Sequence, residues 1–397
     1  MHLSCTRHVV LALGSAQTLA WASSYYLPAM LAAPMARSLG VQPSTVYAAL
    51  SMALLIGAAI GPFTGRLVDR TGGRPVLLLS NALFISGLLA LAAAQGLLSM
   101  LAAWALLGLA MGCGLYDTAF ATLVHLYGKG ARQPISGITL LAGFASTVGW
   151  PLSALMETQW GWRGACVGWA ALMLLVAVPL NALLPLRPAH PVQGGVQGSD
   201  DAPSSSAPTQ APAPASPWLM PLMALIFCSL GFVSSSISTH LPAILQSAGL
   251  GLAAAVGLAA LAGPAQVAGR LLELGVLHRY PPVLSARVAA AGHPLGAVTL
   301  LLAGSPWALA FVLVHGLGNG IITIVRGTLP LAVFGAVGFG ARQGWLNLPS
   351  RVVGALSPWF FGLLLQHHGA AALWATAVAG LVSLLLLQLL PHLRGAE

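Results

Sequence analysis

Charged side chains are scarce in this sequence of 397 residues. Only 6% of the residues are Asp, Glu, Lys or Arg, with 16 basic and 7 acidic side chains, whereas 57% are hydrophobic. A soluble globular domain carries charge on roughly a quarter of its residues, so this chain lacks the charge to cover its surface against water. The composition excludes an ordinary soluble domain and makes the lipid bilayer the first expected partner.

Cysteine is also rare, and the motifs of several enzyme classes are missing. Cys5, Cys113, Cys166 and Cys228 show neither CxxC spacing nor a histidine-paired pattern, so we expect neither a disulfide framework nor a metal site. The chain has no P-loop, HExxH or GxSxG motif. We therefore expect no enzyme and no cofactor. The basic residues form no long run, so we expect no nucleic acid partner.

Twelve apolar stretches of membrane-spanning length follow one another along the chain. They predict an all-α integral membrane protein, with twelve transmembrane helices arranged as two pseudo-symmetric six-helix bundles. We number these predicted helices as spans 1 to 12. They cover residues 8–32, 45–68, 75–95, 99–124, 135–156, 164–186, 217–246, 251–273, 282–303, 306–334, 344–366 and 370–392.

The Lys and Arg residues outside the spans lie mostly on one side of the predicted membrane. If the N-terminus is inside, the far side receives only Arg37 and Arg163. Such a bias predicts a multi-pass protein of the cell inner membrane with both termini in the cytoplasm. The predicted cytoplasmic residues are Arg7, Arg66, Arg70, Arg74, Lys129, Arg132, Arg187, Arg279, Arg287, Arg342 and Arg394.

Residues 187–216 differ in kind from the rest of the chain. They are rich in Pro, Ala, Ser and Gly and contain almost no large apolar residue, so they cannot bury enough surface to offset the entropy of ordering. We predict a disordered cytoplasmic linker here. The predicted domains are an N-terminal six-helix bundle over residues 1–186, this linker, and a C-terminal six-helix bundle over residues 217–397.

Four short motifs recur in the same order in the two halves. Their common register indicates a duplicated six-helix unit, the construction of many secondary transporters. The pairs are "GRLVD" at 65–69 with "GRLLE" at 269–273, "GCG" at 112–114 with "GNG" at 318–320, "GARQ" at 130–133 with the same letters at 340–343, and "GWP" at 149–151 with "ALSP" at 355–358.

The stretch "GRLVDRTGGR" between spans 2 and 3, together with the six-plus-six arrangement, resembles the major facilitator superfamily. That family's loop signature has the form G-x-L-x-D-R-x-G-R-[KR]. The resemblance implies a latch, in which charged residues pair across the cytoplasmic helix ends in one conformation and separate in the other. Gly65, Leu67, Asp69, Arg70 and Gly72 occupy signature positions, Gly73 replaces a basic residue, Arg74 supplies the next one, and Glu273 stands in the repeat.

Residues 240–270 resemble more narrowly the monocarboxylate-transporter branch and its bacterial relatives. Members of that branch have a D-x-x-x-R pattern in helix 8, whose arginine meets the substrate carboxylate. Arg270 stands on the arginine position, whereas Gln266 replaces the aspartate. In helix 1 the branch often has a lysine after a proline, and here Ala29 follows Pro28.

Asp117, in "GLYDTAF" of span 4, is the only acid well inside a span. Ionisable side chains at membrane depth are costly and usually serve a function. The carboxyl group of Asp117 is a candidate for reversible protonation during transport. The alternative is a static role as the partner of an intramembrane arginine.

Three arginines, Arg270, Arg326 and Arg351, lie inside spans. Arg326 keeps its charge, so we expect it to hold an anionic substrate or to pair with Asp117, with a snorkelled or gating position as the alternative. Arg270 belongs both to the loop-signature repeat near the cytoplasmic face and to the substrate-arginine pattern. Arg351 is a further candidate for binding substrate.

Other polar and aromatic residues inside the spans are candidates with two interpretations each. Histidine side chains titrate near neutral pH, so His240 is a candidate for the substrate or coupling site, although a single histidine often only lines a helix contact. Asn319 has the same two interpretations. Trp21, Tyr25 and Tyr26 in span 1 line a cavity or form an interfacial aromatic belt.

Two transport hypotheses follow from these residues. The first is a secondary transporter, working by alternating access and coupled to protons, that moves an organic anion such as a monocarboxylate. The alternative is a proton-driven efflux antiporter for drugs or toxic compounds, including arsenicals. The "GFASTVGWP" stretch at 143–151 approaches that group's helix-5 marker, although Trp150 separates the final Gly and Pro. We expect the protein to act as a monomer.

Overall fold

The computed structural model describes residues 6–186 and 217–394, and the regular structure in these two parts is helical throughout. The predicted linker at 187–216 and Cys5 lie outside the described residues. The first part contains nine α-helices. They are α1 (Thr6–Ala22), α2 (Leu27–Leu39), α3 (Pro43–Thr71), α4 (Gly73–Ala92), α5 (Leu97–Gly114), α6 (Tyr116–Tyr127), α7 (Arg132–Ala142), α8 (Ala145–Leu172) and α9 (Val178–Ala182).

The second described part contains seven α-helices. They are α10 (Leu219–Ser247), α11 (Leu252–Ala260), α12 (Ala262–Gly275), α13 (Pro282–Ala303), α14 (Ala308–Phe334), α15 (Phe339–His368) and α16 (Leu373–Arg394).

By length and composition, seven stretches of the described residues could cross a membrane. Two of these stretches, Leu97–Ala182 and Phe339–Leu390, each contain more than one predicted span. A single helix such as α3, with 29 residues, is about 43 Å long at 1.5 Å per residue and exceeds the hydrocarbon core of about 30 Å. The prediction of a multi-span all-α membrane fold is confirmed.

Four predicted spans are interrupted near their middle. Span 1 divides into α1 and α2, span 4 into α5 and α6 at Leu115, span 5 into α7 and α8 at 143–144, and span 8 into α11 and α12 at Leu261. Pro28, in the first turn of α2, has no N–H to continue a preceding helix. At the second break, the Gly114 carbonyl accepts a hydrogen bond from Gln17 Nε2 at 2.5 Å, which satisfies a group that the interruption releases.

Close crossings of small residues hold each half together. In the first half, a Cβ atom added to Gly57 of α3 would lie 3.1 Å from the carbonyl oxygen of Gly108 in α5. In the second half, Gly316 and Gly320 of α14 press on the backbone of α12. Glycines allow membrane helices to approach closely. The glycines of "GCG" meet α3 and α4, and those of "GNG" meet α13 and α12, so both motifs lie at helix contacts within their own half.

The two halves meet on one side of the molecule. We call this side the basic face: α3, α6 and α14 end there, α4, α7 and α15 begin there, and Arg70, Arg132 and Arg342 lie at these ends. On the opposite face, α2, α8 and α11 pack mainly against elements of their own half. The space between the halves is therefore closed at the basic face and open towards the opposite face.

Candidate functional site

The basic face is closed by α3 of the first half and α15 of the second, which cross with almost no gap. Gly65 and Gly340 face each other so closely that a Cβ atom on either would overlap the backbone of the other. One turn deeper, a Cβ atom on Gly344 would lie 2.5 Å from the Cα atom of Pro62 and 2.6 Å from the carbonyl oxygen of Gly61. Any larger residue at these positions requires the two helices to separate.

Asp69 completes this crossing by capping the helix of the other half. Its Oδ1 accepts a hydrogen bond from the backbone N–H of Gly340 at 2.9 Å, and its Oδ2 accepts one from that of Ala341 at 2.9 Å. The first N–H groups of a helix have no partner within it, and the helix dipole favours a negative charge there. The Asp69 carboxylate thus satisfies the N-terminus of α15.

The Asp69 carboxylate that forms this cap also lies near an arginine of α15. Both Asp69 oxygens are bound by backbone N–H groups, and Arg342, which donates to the Phe334 carbonyl at 3.0 Å, adds an electrostatic attraction. Arg70 is exposed and Arg74 is half-buried. The family signature therefore positions Gly65 and Asp69 at the contact between the halves, and Arg342, outside the signature, is one cation attracted to Asp69.

A second contact between the halves lies at the other side of the basic face. Arg132, the first residue of α7, forms a 2.9 Å ion pair with the fully buried Glu273 of α12. The same guanidinium donates to the carbonyls of Leu277 at 3.1 Å and Tyr280 at 2.5 Å. The repeats are therefore cross-paired: "GRLVD" meets the second "GARQ", and "GRLLE" meets the first.

Deeper between the halves, Asp117 binds two residues of α15. Its Oδ2 accepts a hydrogen bond from Arg351 Nη2 at 2.7 Å, and its Oδ1 accepts one from Asn347 Nδ2 at 2.9 Å. Asn347 and Arg351 are four residues apart and lie on the same face of the helix. The side chains of Arg351 and Asp117 remain 28% and 19% exposed, so this ion pair borders accessible space.

Arg326 of α14 lies beside this pair without joining it. The Arg326 guanidinium interacts electrostatically with Asp117, Arg351 and Cys228, but within residues 6–186 and 217–394 it has neither a hydrogen bond nor an ion pair. Its backbone carbonyl accepts a hydrogen bond from Gln343 Nε2 at 2.8 Å. The direct partner of Asp117 is Arg351, and Arg326 keeps its donors available.

Arg270 also lies between the halves, at the break in span 5. Its side chain is buried, and its Nη1 occupies the place that a Cβ atom on Gly143 would need. The guanidinium interacts electrostatically with the phenol groups of Tyr26 and Tyr116. In the described part of the chain, its Nε has no hydrogen-bond partner. Gln266, one turn earlier, is half-buried where α12 crosses α14.

A series of aromatic rings lies next to Arg270. Trp21 has its ring centroid 4.9 Å from that of Tyr116 and 5.5 Å from that of Tyr25. Tyr25 is 5.2 Å from Tyr26, which is 6.0 Å from Trp150. We call these five residues the aromatic cluster. Tyr25 and Trp150 are 41% and 42% exposed although they contact other rings of the cluster, so the cluster borders the space between the halves.

Two of the predicted residues have partners within the second half. His240 Nε2 shares a 2.8 Å hydrogen bond with the Pro358 carbonyl, and Asn319 Oδ1 accepts one from Ser234 at 2.5 Å. Both contacts join helices of one half. They match the alternative in which these residues stabilise helix packing.

Sequence analysis missed several residues of the site. Asn347 and Tyr116 were not candidates, and Arg132 was counted only among residues that set the orientation. The repeated "GARQ" motif was the available signal for Arg132, because its second copy contains Gly340 and Ala341. Tyr116 precedes Asp117 directly, so the break at Leu115 positions one residue in the aromatic cluster and the next in the ion pair.

The charges of the site do not balance. The described residues bring three arginines, Arg270, Arg326 and Arg351, to the space between the halves, and Asp117 is the carboxylate that faces them. Glu273 is bound by Arg132 at the basic face. The central site consequently carries a positive excess next to aromatic surface.

Comparison with known proteins gives a family and several relatives that match part of the chain. A family model described as the Major Facilitator Superfamily matches residues 13–340. Multidrug resistance protein D of Escherichia coli strain K12 is 31% identical over 147 residues, which are 36% of this chain and 36% of that protein. The chain thus aligns with little more than a third of that relative's length.

Two solved structures match nearly the whole chain. The crystal structure of the human organic anion transporter MFSD10 (TETRAN) has a TM-score of 0.73 at 17% identity and covers 98% of this chain and 100% of its own. The crystal structure of the transporter FucP in the outward conformation has a TM-score of 0.72 at 12% identity and covers 96% and 98%. At these identities the likeness concerns the fold.

Proposed function

The chain belongs to the major facilitator superfamily, a family of membrane transporters and not of enzymes, and on this premise we propose that it is a secondary transporter of organic anions. The observation that carries this proposal is the excess of arginine over carboxylate between the halves. A buried positive charge needs a counter-anion, and a guanidinium binds a carboxylate through paired, charge-assisted hydrogen bonds. Arg326, with its donors available, is the first expected contact.

Protons couple to the anion through Asp117 in this proposal. The Asp117 carboxylate holds Arg351 at 2.7 Å, and a substrate carboxylate competes for the same guanidinium. Protonation of Asp117 removes its charge and frees Arg351, so a proton and an anion bind together. When both have left, the ion pair re-forms and the empty site is ready to return. This scheme makes the protein a symporter.

Alternating access supplies the path for this cycle. We place the basic face in the cytoplasm because Lys and Arg accumulate there, so the described conformation is open to the outside. The Asp69 cap and the Arg132–Glu273 ion pair then form the latch that holds the cytoplasmic side closed. A contact that forms in one conformation and breaks in the other makes such a cycle two-state.

Efflux of drugs is a second candidate function. The observation that favours it is that three partial relatives are each named a multidrug resistance protein. The "GFASTVGWP" stretch fits less well, because Trp150 separates the glycine and proline that the efflux marker joins. Cationic drugs would also enter a site with a positive excess, which is electrostatically unfavourable.

Uptake and counterflow in proteoliposomes distinguish the two functions. The panel contains carboxylates of several sizes, cationic drugs and arsenite, each measured with and without a pH gradient. We expect saturable transport of carboxylates, accelerated when the side that they enter is more alkaline. Transport of cations or neutral drugs, with none of the carboxylates, would replace the organic-anion proposal with efflux.

Arginine-to-lysine variants test whether the arginines between the halves bind the substrate carboxylate. Lys keeps the charge but loses the planar fork of guanidinium donors. Arg326→Lys should therefore weaken carboxylate binding about tenfold while the protein still folds. The expected size follows because a hydrogen bond to a charged group is worth about 1.5–3 kcal/mol. Arg270→Lys should act in the same direction. Arg37→Lys, at an exposed residue remote from the site, is the matched control. Normal carboxylate binding in both site variants would remove these arginines from the recognition.

A further inference from the structure

The aromatic cluster contributes no charge to the central site, yet it borders the same space as the arginines. Its ring pairs are mostly edge-on: the planes of Trp21 and Tyr25 meet at 72°, those of Tyr25 and Tyr26 at 88°, and those of Tyr26 and Trp150 at 85°. Rings that meet edge-on do not cover each other's faces fully. The exposed fractions of Tyr25 and Trp150 therefore include ring surface on which a further planar ring can stack.

Polar groups at the edge of this cluster also lack partners. In the part of the chain that the structure describes, the indole Nε1 of Trp21 is buried without a hydrogen-bond partner, as is Nε of Arg270. An unpaired buried donor is costly unless a ligand supplies the acceptor. Both donors lie close to Tyr116, which joins Trp21 through a ring contact and Arg270 through an electrostatic interaction.

Tyr116 and Asp117 connect the ring surface to the charged pair. They are consecutive residues at the start of α6, and Tyr116 and Tyr26 of the cluster both interact electrostatically with Arg270. A ring that stacks on the cluster therefore has an arginine beside it. A molecule with a planar ring and an attached carboxylate matches both parts. A carboxylate of only two or three carbons fills the charged part and leaves the aromatic cluster empty.

We infer that the substrates are aromatic carboxylates, whose ring stacks in the aromatic cluster while the carboxylate binds the neighbouring arginines. This inference rests on the proposed organic-anion transport and specifies its substrate class. It differs from the short monocarboxylates that the narrower resemblance of residues 240–270 implies. The aromatic cluster selects for ring faces, and the arginines select for negative charge.

Benzoate and cyclohexanecarboxylate separate these two selections. Both are monoanions built on a six-membered ring, and only benzoate offers a π-face. In competition against counterflow of a labelled carboxylate by the full-length protein in proteoliposomes, benzoate should inhibit at about three- to tenfold lower concentration, the range expected from aromatic pairing. Acetate should inhibit more weakly than either.

Substitutions in the aromatic cluster test whether its rings cause the preference for benzoate. Tyr25→Leu and Trp150→Leu should reduce the preference for benzoate to less than about twofold, since both remove an exposed ring face, whereas Tyr25→Phe should retain it. Trp307→Leu is the control, because Trp307 is an exposed tryptophan in the turn between α13 and α14 and is not a member of the cluster. If a leucine variant fails to insert, the comparison of the two acids on the unaltered protein still decides.

The outcomes of this competition are distinct. Equal inhibition by benzoate and cyclohexanecarboxylate, with both acids transported, would overturn the aromatic selection and leave organic-anion transport intact. A benzoate preference that persists in Tyr25→Leu and Trp150→Leu would overturn the placement of the ring in the cluster. Inhibition by neither acid, while counterflow of the labelled carboxylate persists, would also overturn the aromatic class and leave organic-anion transport intact. Only a lack of transport for every carboxylate of the panel would overturn the organic-anion function itself.

Discussion

At the scale of single residues, Asp117 has the largest influence on the charge of the central site. Asp117→Asn keeps the shape of the side chain and removes the charge that holds Arg351 at 2.7 Å. We expect counterflow of substrate to persist, because exchange of bound substrate needs no change in protonation. Uptake driven by a pH gradient should fall at least about tenfold if the proton contributes about 1.4 kcal/mol or more of coupling free energy. Both rates are measured in the same proteoliposomes.

The control for this prediction is Glu157→Gln, which removes a half-buried carboxylate in the middle of α8. It should alter neither rate. If Asp117→Asn retains gradient-driven uptake at the normal level, the proton is carried elsewhere and Asp117 has the static role of an arginine partner.

Asp69 carries the second prediction at this scale. In Asp69→Asn, the amide oxygen still accepts one N–H of α15, but the amide nitrogen faces a second N–H and repels it. The loss of a charge-assisted hydrogen bond, worth about 1.5–3 kcal/mol, should destabilise the closed basic face and slow turnover, while substrate binding remains measurable. Transport rates are compared with affinities from isothermal titration. An unchanged rate would remove the latch role.

The sequence was sufficient to find Asp117 but not its partner. An acid inside an apolar stretch is conspicuous, because few residues of this chain are charged. The choice between Arg326 and Arg351 depends on how α14 and α15 are rotated towards α6 in the other half, and no local pattern contains that rotation. Asn347 was missed for the same reason, although it lies one turn before Arg351.

At the scale of helices, the crossing of α3 and α15 depends on residues without a side chain. Gly65→Ala places a methyl group where the Gly340 backbone now lies, so the closed basic face should be destabilised by about 1–3 kcal/mol, the usual cost of overpacking. We expect a lower melting temperature and slower transport. Gly354→Ala on α15, where the added methyl group meets no atom within 4 Å, should leave both unchanged.

Equal stability of the two glycine variants would contradict the tight contact between α3 and α15. If Gly65→Ala and Gly354→Ala melt at the same temperature, the helices tolerate the methyl group and the basic face is less tightly closed than the distances indicate.

The repeats indicated a duplicated unit, but neither the contacts between the motifs nor the breaks in the helices. The cross-paired "GRLVD" and "GARQ" motifs were visible as a duplication before any contact was known. The breaks at Leu115 and at 143–144 were not foreseen, since both spans are continuously apolar. A break is tolerated because a residue distant in sequence forms a hydrogen bond with the backbone group that has lost its helical partner, as Gln17 does with the Gly114 carbonyl. The sequence around the break does not show which residue that is.

At the scale of the whole molecule, the predicted domain division leads to a test of residues 187–216, which lie outside the described residues. Their composition offers little surface for packing. Replacing residues 190–214 by a brief Gly/Ser link that still spans the distance should leave insertion, melting temperature and transport unchanged. The measurement is carboxylate counterflow by the shortened protein. Loss of activity in a protein that still inserts would reveal a functional element in this segment.

The multi-span membrane fold could be predicted because the bilayer imposes long apolar helices on any chain that crosses it. Composition, span length and the duplicated motifs were therefore sufficient for the architecture. The substrate site is different in kind. It is formed where two halves meet, and its chemistry depends on distances between residues more than 200 positions apart, such as Asp117 and Arg351.

The glycine crossing at the basic face also determines where the membrane voltage falls. Backbone meets backbone between α3 and α15, so a thin, poorly conducting layer separates the arginine site from the basic side. Each elementary charge that passes the full field gains or loses about 2.3 kcal/mol per 100 mV, and most of that work is done across this layer. An anion that crosses with one proton carries no net charge through it. The loaded carrier would then turn over at the same rate in a polarised and a depolarised membrane, and the pH difference and the substrate gradient together would set its direction.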